Sequence, residues 1–296
     1  MDRTNDSRTR NRRRRRRHAL IRGIFRCAFM VFGLCLTVAL LTKLLNGELR
    51  FPEEVEERIS GKNVNLSVSA KEETRDVELS QQEDVELSQQ ELEELPDSIQ
   101  QLYEKNEEAR EFVANYNKGH NLDEEIDISK EVTQGQIPLF LQWDERWGYR
   151  QYGADCMGIT GCGPTALSMV YCGLTGDTSY NPYAIAQKAY GEGYYVEGSG
   201  SSWDMMSNLA NELGLYSTEL SRDESVIIGE LRNGHPVICI MGPGDFTDQG
   251  HFIVLSGIDE DGMVIVKDPN SKKNSKKHWN LSKIISQMKN LWSYQL

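Results

Sequence analysis

Long apolar runs are almost missing from this chain of 296 residues, the one exception lying between Ile24 and Thr42. No Cys or His pair has the close spacing of a structural zinc site, and no glycine-rich phosphate loop is present, so neither a metal nor another cofactor is expected. Between residues 46 and 95 Phe51 is the only aromatic and apolar residues are few. That stretch cannot bury enough surface to offset the entropy of ordering it. If the C-terminal part lies outside the cell, disulfides are permitted there. Cys27 and Cys35 fall in the apolar run, leaving Cys156, Cys162, Cys172 and Cys239. If Cys162 is a free thiol, at least one of the other three is unpaired as well.

Charge is distributed unevenly, so the net −12 describes no single region. Residues 1–26 carry eleven Arg against Asp2 and Asp6, residues 46–136 carry nine basic and 25 acidic residues, and residues 137–296 carry twelve and 18. The block Arg12 to Arg17 would suit an anionic polymer, but it stands directly before the apolar run. Arginines packed on one side of a span hold that side in the cytoplasm and send the chain beyond the span across the membrane. Residues 1–22 are therefore expected as a cytoplasmic tail and 23–45 as a transmembrane signal anchor, with no nucleic-acid partner. The charge-free core from Cys27 to Thr42 is short, and snorkelling of Arg26 and Lys43 lengthens it. No small-x-small cleavage site comes after it, which favours an uncleaved anchor over a signal peptide.

An acidic stalk is expected over 46–95, where Asp76–Glu83 is repeated verbatim as Asp84–Glu91. A period of eight is neither a heptad nor a solenoid unit. Pro96-Asp97-Ser98 then opens an amphipathic helix expected over 96–119, with Ile99, Leu102, Ala109, Phe112, Val113 and Tyr116 on one side and Gly119 as its stop.

From residue 136 to 296 the composition is that of a folded domain. Helices are expected from Cys162, from Asn181-Pro182 to Tyr190, from Trp203 to Leu213, and near Asp223 to Arg232. Strands come next at Pro236–Met241, His251–Ile258 and Met263–Lys267. Asn280 caps a last helix whose buried face is Ile284, Ile285, Met288 and Leu291. Helices first and consecutive antiparallel strands afterwards make an α+β domain.

The domain is organised around Gly161-Cys162-Gly163-Pro164-Thr165. A thiol at the start of a buried helix, with Pro164 in the first helical position, feels the positive end of the helix dipole, which favours the thiolate. Most cysteines beside helices are small core residues. The pointer to chemistry here is the later order Cys, His, Asp. His251 opens the Phe252-Ile253-Val254-Leu255 strand and Asp268 comes directly after Val264-Ile265-Val266-Lys267. A nucleophilic thiol needs a base and a third group to orient that base. His251 and Asp268 fill those roles, with His235 as the rival base. Gln142 is the candidate side-chain donor to an oxyanion, beside the Cys162 N–H.

Together Gln142-Trp143-Asp144, Gly161-Cys162-Gly163-Pro164-Thr165, Gly250-His251-Phe252-Ile253-Val254-Leu255 and Asp268-Pro269 resemble the papain-like cysteine peptidases of the bacteriocin-processing (double-glycine) family, in the stand-alone branch of bacterial surface proteins. The resemblance covers roughly residues 136–296. It implies a papain-like fold in which a Cys-bearing helix packs on an antiparallel sheet. It also implies Cys162 as nucleophile, His251 as base, Asp268 as orienting residue, Gln142 in the oxyanion hole, and a peptide or protein substrate. About 20 residues separate Gln142 from Cys162, where the family's processing enzymes have only a few. Those enzymes are also fused to an export ATPase that this chain lacks.

The expectation is thus a membrane-anchored extracellular cysteine peptidase acting through a thioester. A cell-wall amidase or acyl transferase with the same triad, or a catalytically silent binding module, are the alternatives. Oligomeric state is left open. Protease added to intact cells should cut between Asn46 and Pro96 and release a soluble, thiol-reactive domain, as read by immunoblot. Protection until the membrane is broken would reverse the orientation.

Overall fold

The computed structural model describes residues 86–296, and the expected cytoplasmic tail, membrane span and most of the acidic stalk lie outside the described residues. Among the described residues no helix is long and apolar enough to cross a membrane.

The described chain begins with a short helix α1 (Gln89–Glu93), opened by a Ser88/Glu91 capping box. Where one helix over 96–119 is expected, the structure has α2 (Asp97–Lys105), a 3₁₀ turn (Glu107–Ala109) and α3 (Arg110–Asn115). The break is at Asn106, whose backbone is extended and whose side chain accepts the N–H of Glu108. An Asn that caps from inside a periodic pattern offers the backbone an alternative to continuing the helix. Apolar periodicity does not register it.

A two-stranded hairpin of β1 (Gln151–Tyr152) and β2 (Asp155–Cys156) leads into α4 (Met157–Thr160) and the long α5 (Cys162–Thr175). Next come α6 (Pro182–Gly191), capped by Asn181, and a second small hairpin of β3 (Tyr195–Val196) and β4 (Gly200–Ser201). The helix expected from Trp203 to Leu213 is a 3₁₀ turn (Trp203–Met206) and then α7 (Asn208–Glu212). The chain continues with β5 (Tyr216–Glu219), α8 (Glu224–Arg232), β6 (Val237–Met241), β7 (His251–Ile258), β8 (Val264–Lys267), α9 (Lys272–Lys276), β9 (His278–Trp279), α10 (Leu281–Gln287) and β10 (Met288–Gln295).

The six-stranded sheet has the order β5-β10-β6-β7-β8-β9, with every neighbour antiparallel. It is covered on both faces, which is why all five residues of β6 are buried. Ile238, Ile240, Phe252, Val254, Trp292 and Tyr294 face the cluster built on α5. Val237, Cys239, Met241, Ile253, Leu255 and Val266 face the cluster that includes Ile227 and Leu231 of α8 and Ile284 of α10.

One expectation fails at the C-terminal end. Met288 and Leu291, expected on the buried face of the last helix, belong to β10. Their spacing from Ile284 fits a helix, but Trp292, Ser293 and Tyr294 are buried as well. An unbroken buried run with aromatics suits a strand covered on both faces. The mostly exposed β5 has no apolar alternation to announce it and exists through its pairing with β10.

The N-terminal arm, α1 to α3, packs on this domain through Phe112. A Cβ at Gly148 or Gly158 would meet the Phe112 ring at 2.6 or 2.7 Å, so both positions need glycine for this close approach. The ring stacks on Tyr149 with centroids 4.2 Å apart. Phe112→Ala is expected to lower unfolding stability by about 3–5 kcal/mol, the usual range for removing a buried aromatic. Chemical denaturation measures it, and a loss below about 1 kcal/mol would show that the arm is not integral to the fold.

Candidate active site

Cys162 is the first residue of α5, reached from α4 through Gly161. Pro164 therefore occupies the third helical position and not the first. The N–H groups of a first turn have no intrahelical acceptor, so a proline costs no hydrogen bond there. Gly163 is required by close packing, since a Cβ would stand 2.7 Å from Ser201 Oγ, which itself hydrogen-bonds the Tyr152 hydroxyl at 2.7 Å. The helix runs buried from Gly163 through Gly173 and ends at Gly176 in the left-handed conformation.

His251 opens β7 and Asp268 comes directly after β8. The register sets Val254 opposite Lys267, so Asp268 falls opposite Ile253 and diagonal to His251, on one face of the sheet. His251 Nε2 meets Asp268 Oδ1 at 2.7 Å, with both side chains buried. The ring's other nitrogen is left for the Cys162 sulfur, near enough that imidazole and thiol shift each other's protonation. Asp268 Oδ1 also accepts the Asn270 N–H at 2.8 Å, and Oδ2 accepts from Asn274 Nδ2 at 2.8 Å. Its own N–H donates to Ser275 Oγ.

These contacts set the protonation states. Burial works against a charged imidazole, but the Asp268 carboxylate and then the Cys162 sulfur outweigh it, raising His251 to about 10. Burial likewise opposes a thiolate at Cys162. The hydrogen bond and charge of His251, with the N–H groups of Phe252 and Gly163, overcome it and lower the thiol below its ordinary value. The other described cysteines, Cys156, Cys172 and Cys239, are free and buried. With burial as the leading cause and no imidazole beside them, Cys156 and Cys172 rise to about 12 and Cys239 rises as well.

Gln142 lies in the same neighbourhood. Its N–H donates to Pro269 O at 2.7 Å, and its Nε2 donates to Gly158 O at 2.8 Å and Ile159 O at 3.3 Å. Its Oε1 is buried with no partner. The residues between Gln142 and Cys162 fold into the β1–β2 hairpin and α4, an excursion that returns to Gln142 at Gly158.

His235 stands elsewhere. Val237 pairs with Leu255 and Met241 with His251, so His235 lies at the opposite end of β6 from the site. At about 3.3 Å per residue the separation along the strand is roughly 20 Å. His235 is bound instead to Glu230. The sequence pattern does not single out Asn274 or Ser275. Both sit in the polar turn after Asp268-Pro269, where Asn and Ser pass as ordinary turn residues.

A thiol at the start of a buried helix, beside a sheet-borne imidazole that a carboxylate holds, is the arrangement of a papain-like cysteine-peptidase domain. The model of the Peptidase_C39 like family matches residues 134–295, more than half of the chain, and the protein belongs to that family. A solved structure, the peptidase domain of Streptococcus ComA, a bi-functional ABC transporter involved in a quorum-sensing pathway, is similar with 20% identity and a TM-score of 0.34, over 45% of this chain and 89% of that one. No curated protein matches the sequence.

With its thiol pKa lowered and its partner's raised, Cys162 is thiolate over a range in which the other three cysteines are protonated. Iodoacetamide at pH 7 is expected to modify Cys162 at least about 100-fold faster than Cys156 or Cys172, since a thiol pKa near 12 leaves a negligible thiolate fraction. From pH 7 to 9 the Cys162 rate should rise far less than the roughly 25-fold of an ordinary thiol. Peptide mapping by mass spectrometry reads both, and equal rates at Cys162 and Cys172 would refute an activated thiol.

Proposed function

We propose that this protein hydrolyses peptide bonds through a thioester acyl-enzyme, held at the cell membrane by residues 23–45 with its domain on the outer side. The line Cys162, His251, Asp268, with its buried 2.7 Å link between imidazole and carboxylate, carries the reading. In this scheme the Cys162 thiolate attacks the scissile carbonyl carbon, and the imidazolium of His251 gives its proton to the departing amine. His251 then takes a proton from water, which attacks the thioester and frees the acid product. Asp268 transfers no proton; it keeps the ring turned toward sulfur and stabilises its positive charge.

The developing oxyanion would take the Cys162 N–H, a first-turn donor, and one hydrogen of Gln142 Nε2. That amide gives up its longer bond, to Ile159 O, and keeps the shorter one to Gly158 O. The membrane assignment rests on the arginines that precede the single apolar run.

Incubation with a proteome-derived peptide library, with new N-termini read by mass spectrometry, tests the activity. Wild type should generate new termini and His251→Ala none. Asp268→Asn should retain part of the activity, and His235→Ala nearly all of it. Gln142→Ala should lower kcat by about 10²–10³, the usual loss for one oxyanion donor. A wild-type protein that alkylates rapidly at Cys162 but yields no new termini would overturn peptide hydrolysis in favour of the silent module.

A further inference from the structure

The family match begins at residue 134, yet the turn that holds Asp268 is tied to residues well before it. Glu108 Oε1 accepts the Ser271 hydroxyl at 2.6 Å, and both Glu108 oxygens stand 3.2 Å from the Lys273 N–H. The carboxylate thereby satisfies an early N–H of α9 that has no acceptor within that helix. Ser271 Oγ accepts in turn from the Asn274 N–H at 3.0 Å, and Asn274 Nδ2 donates to Asp268 Oδ2 at 2.8 Å. From the other side Asn106 Nδ2 donates to Asn270 O at 2.8 Å and Asn270 Oδ1 at 3.1 Å, while the Asn270 N–H binds Asp268 Oδ1. Both carboxylate oxygens of Asp268 are therefore held by groups whose own positions depend on the arm.

The arm is anchored independently of these bonds. Ile99, Ala109, Phe112 and Val113 are buried, and Phe112 fills the hollow over Gly148 and Gly158, just upstream of Cys162. The helix break at Asn106 puts Asn106 and Glu108, two residues apart, against the two ends of the Asn270–Asn274 turn. A continuous helix would separate residues i and i+2 by about 200° around its axis and could not present both to one turn.

We infer that Asn106 and Glu108 are positioning residues for the site, so that this protein's catalytic unit includes the arm before the family domain as well as the domain itself. The inference rests on the proposed Cys162, His251, Asp268 triad. The arm acts through Asp268. With Glu108 or Asn106 removed, the turn loosens, Asp268 holds the imidazolium less firmly, and the Cys162 thiolate loses its counter-charge.

The pH profile of iodoacetamide modification at Cys162 in the full-length protein tests this without a known substrate. Glu108→Ala and Asn106→Ala are each expected to move the rise of that profile about one unit to higher pH, slowing modification up to about tenfold on its acid side, with little change at pH 10. Glu108→Asp should recover part of the loss. His251→Ala is the reference and should flatten the difference between Cys162 and an ordinary thiol. Should Glu108→Ala fail to fold, Asn106→Ala and Glu108→Gln carry the same comparison. A shift in His251→Ala with wild-type profiles in the folded arm variants overturns the inference and leaves the triad standing. A wild-type profile in His251→Ala overturns the triad and the inference with it.

Discussion

The bond between His251 and Asp268 is the constraint the domain is built around. A carboxylate with 1% of its surface exposed is tolerated only when its lone pairs are taken up. Two donors come from the turn after β8, and one from a ring on the neighbouring strand. The antiparallel pairing of β7 with β8 sets Asp268 diagonal to His251, so a one-residue slip would turn either side chain to the opposite face. Burial on both faces of β6 and β7 is what prevents that slip. The geometry of the candidate site and the core packing are thus specified by one register.

The four described cysteines separate electrostatic environment from residue type. All are unpaired and set among apolar neighbours, and burial alone raises a thiol pKa. Cys239 shows that effect alone, and it leads at Cys156 and Cys172, where Asp155 and Asp177 add to it. Cys162 differs through the imidazole beside it, the nearby N–H groups of Phe252 and Gly163, and its place at the start of a 14-residue helix. Each favours the anion. The imidazole's high pKa depends in turn on Asp268, so the lowered thiol pKa of Cys162 depends on a carboxylate on the far side of the imidazole.

Much of this is legible in the sequence, for identifiable reasons. Cys162, His251 and Asp268 can be picked out because a helix-start thiol and two strand-edge polar residues interrupt apolar runs, and a buried polar group needs a partner. Strands β6, β7 and β8 succeed one another with short links, so local patterning finds them. Strand β10 escapes because Met288 and Leu291 continue a helical spacing from Ile284, and its neighbours β5 and β6 are distant in sequence. The Asn106 break escapes because capping from within a periodic pattern leaves the period intact. Asn274 escapes because its role exists only once the turn has closed on Asp268. The strand depends on long-range pairing and the other two on local side-chain contacts, and propensity and periodicity carry neither.

The place of β10 has a further consequence for how the site is assembled. This late strand lies between β5 and β6, while β7, which bears His251, pairs with β6 on the other side. Without β10, β6 would present an unpaired edge and Trp292 and Tyr294 would be missing from the face on which α5 packs. Pairings of such sequence separation meet their loop-closure entropy before their contacts reward it. The β6–β7–β8 hairpins are local, but the α5 face against which they bury is completed only by the late strand. An isolated thiol in a partly folded chain has no His251 beside it and keeps an ordinary pKa. The topology therefore ties the surroundings that lower the Cys162 thiol pKa to completion of the sheet, and an unfolded chain carries the residues of the candidate site without those surroundings.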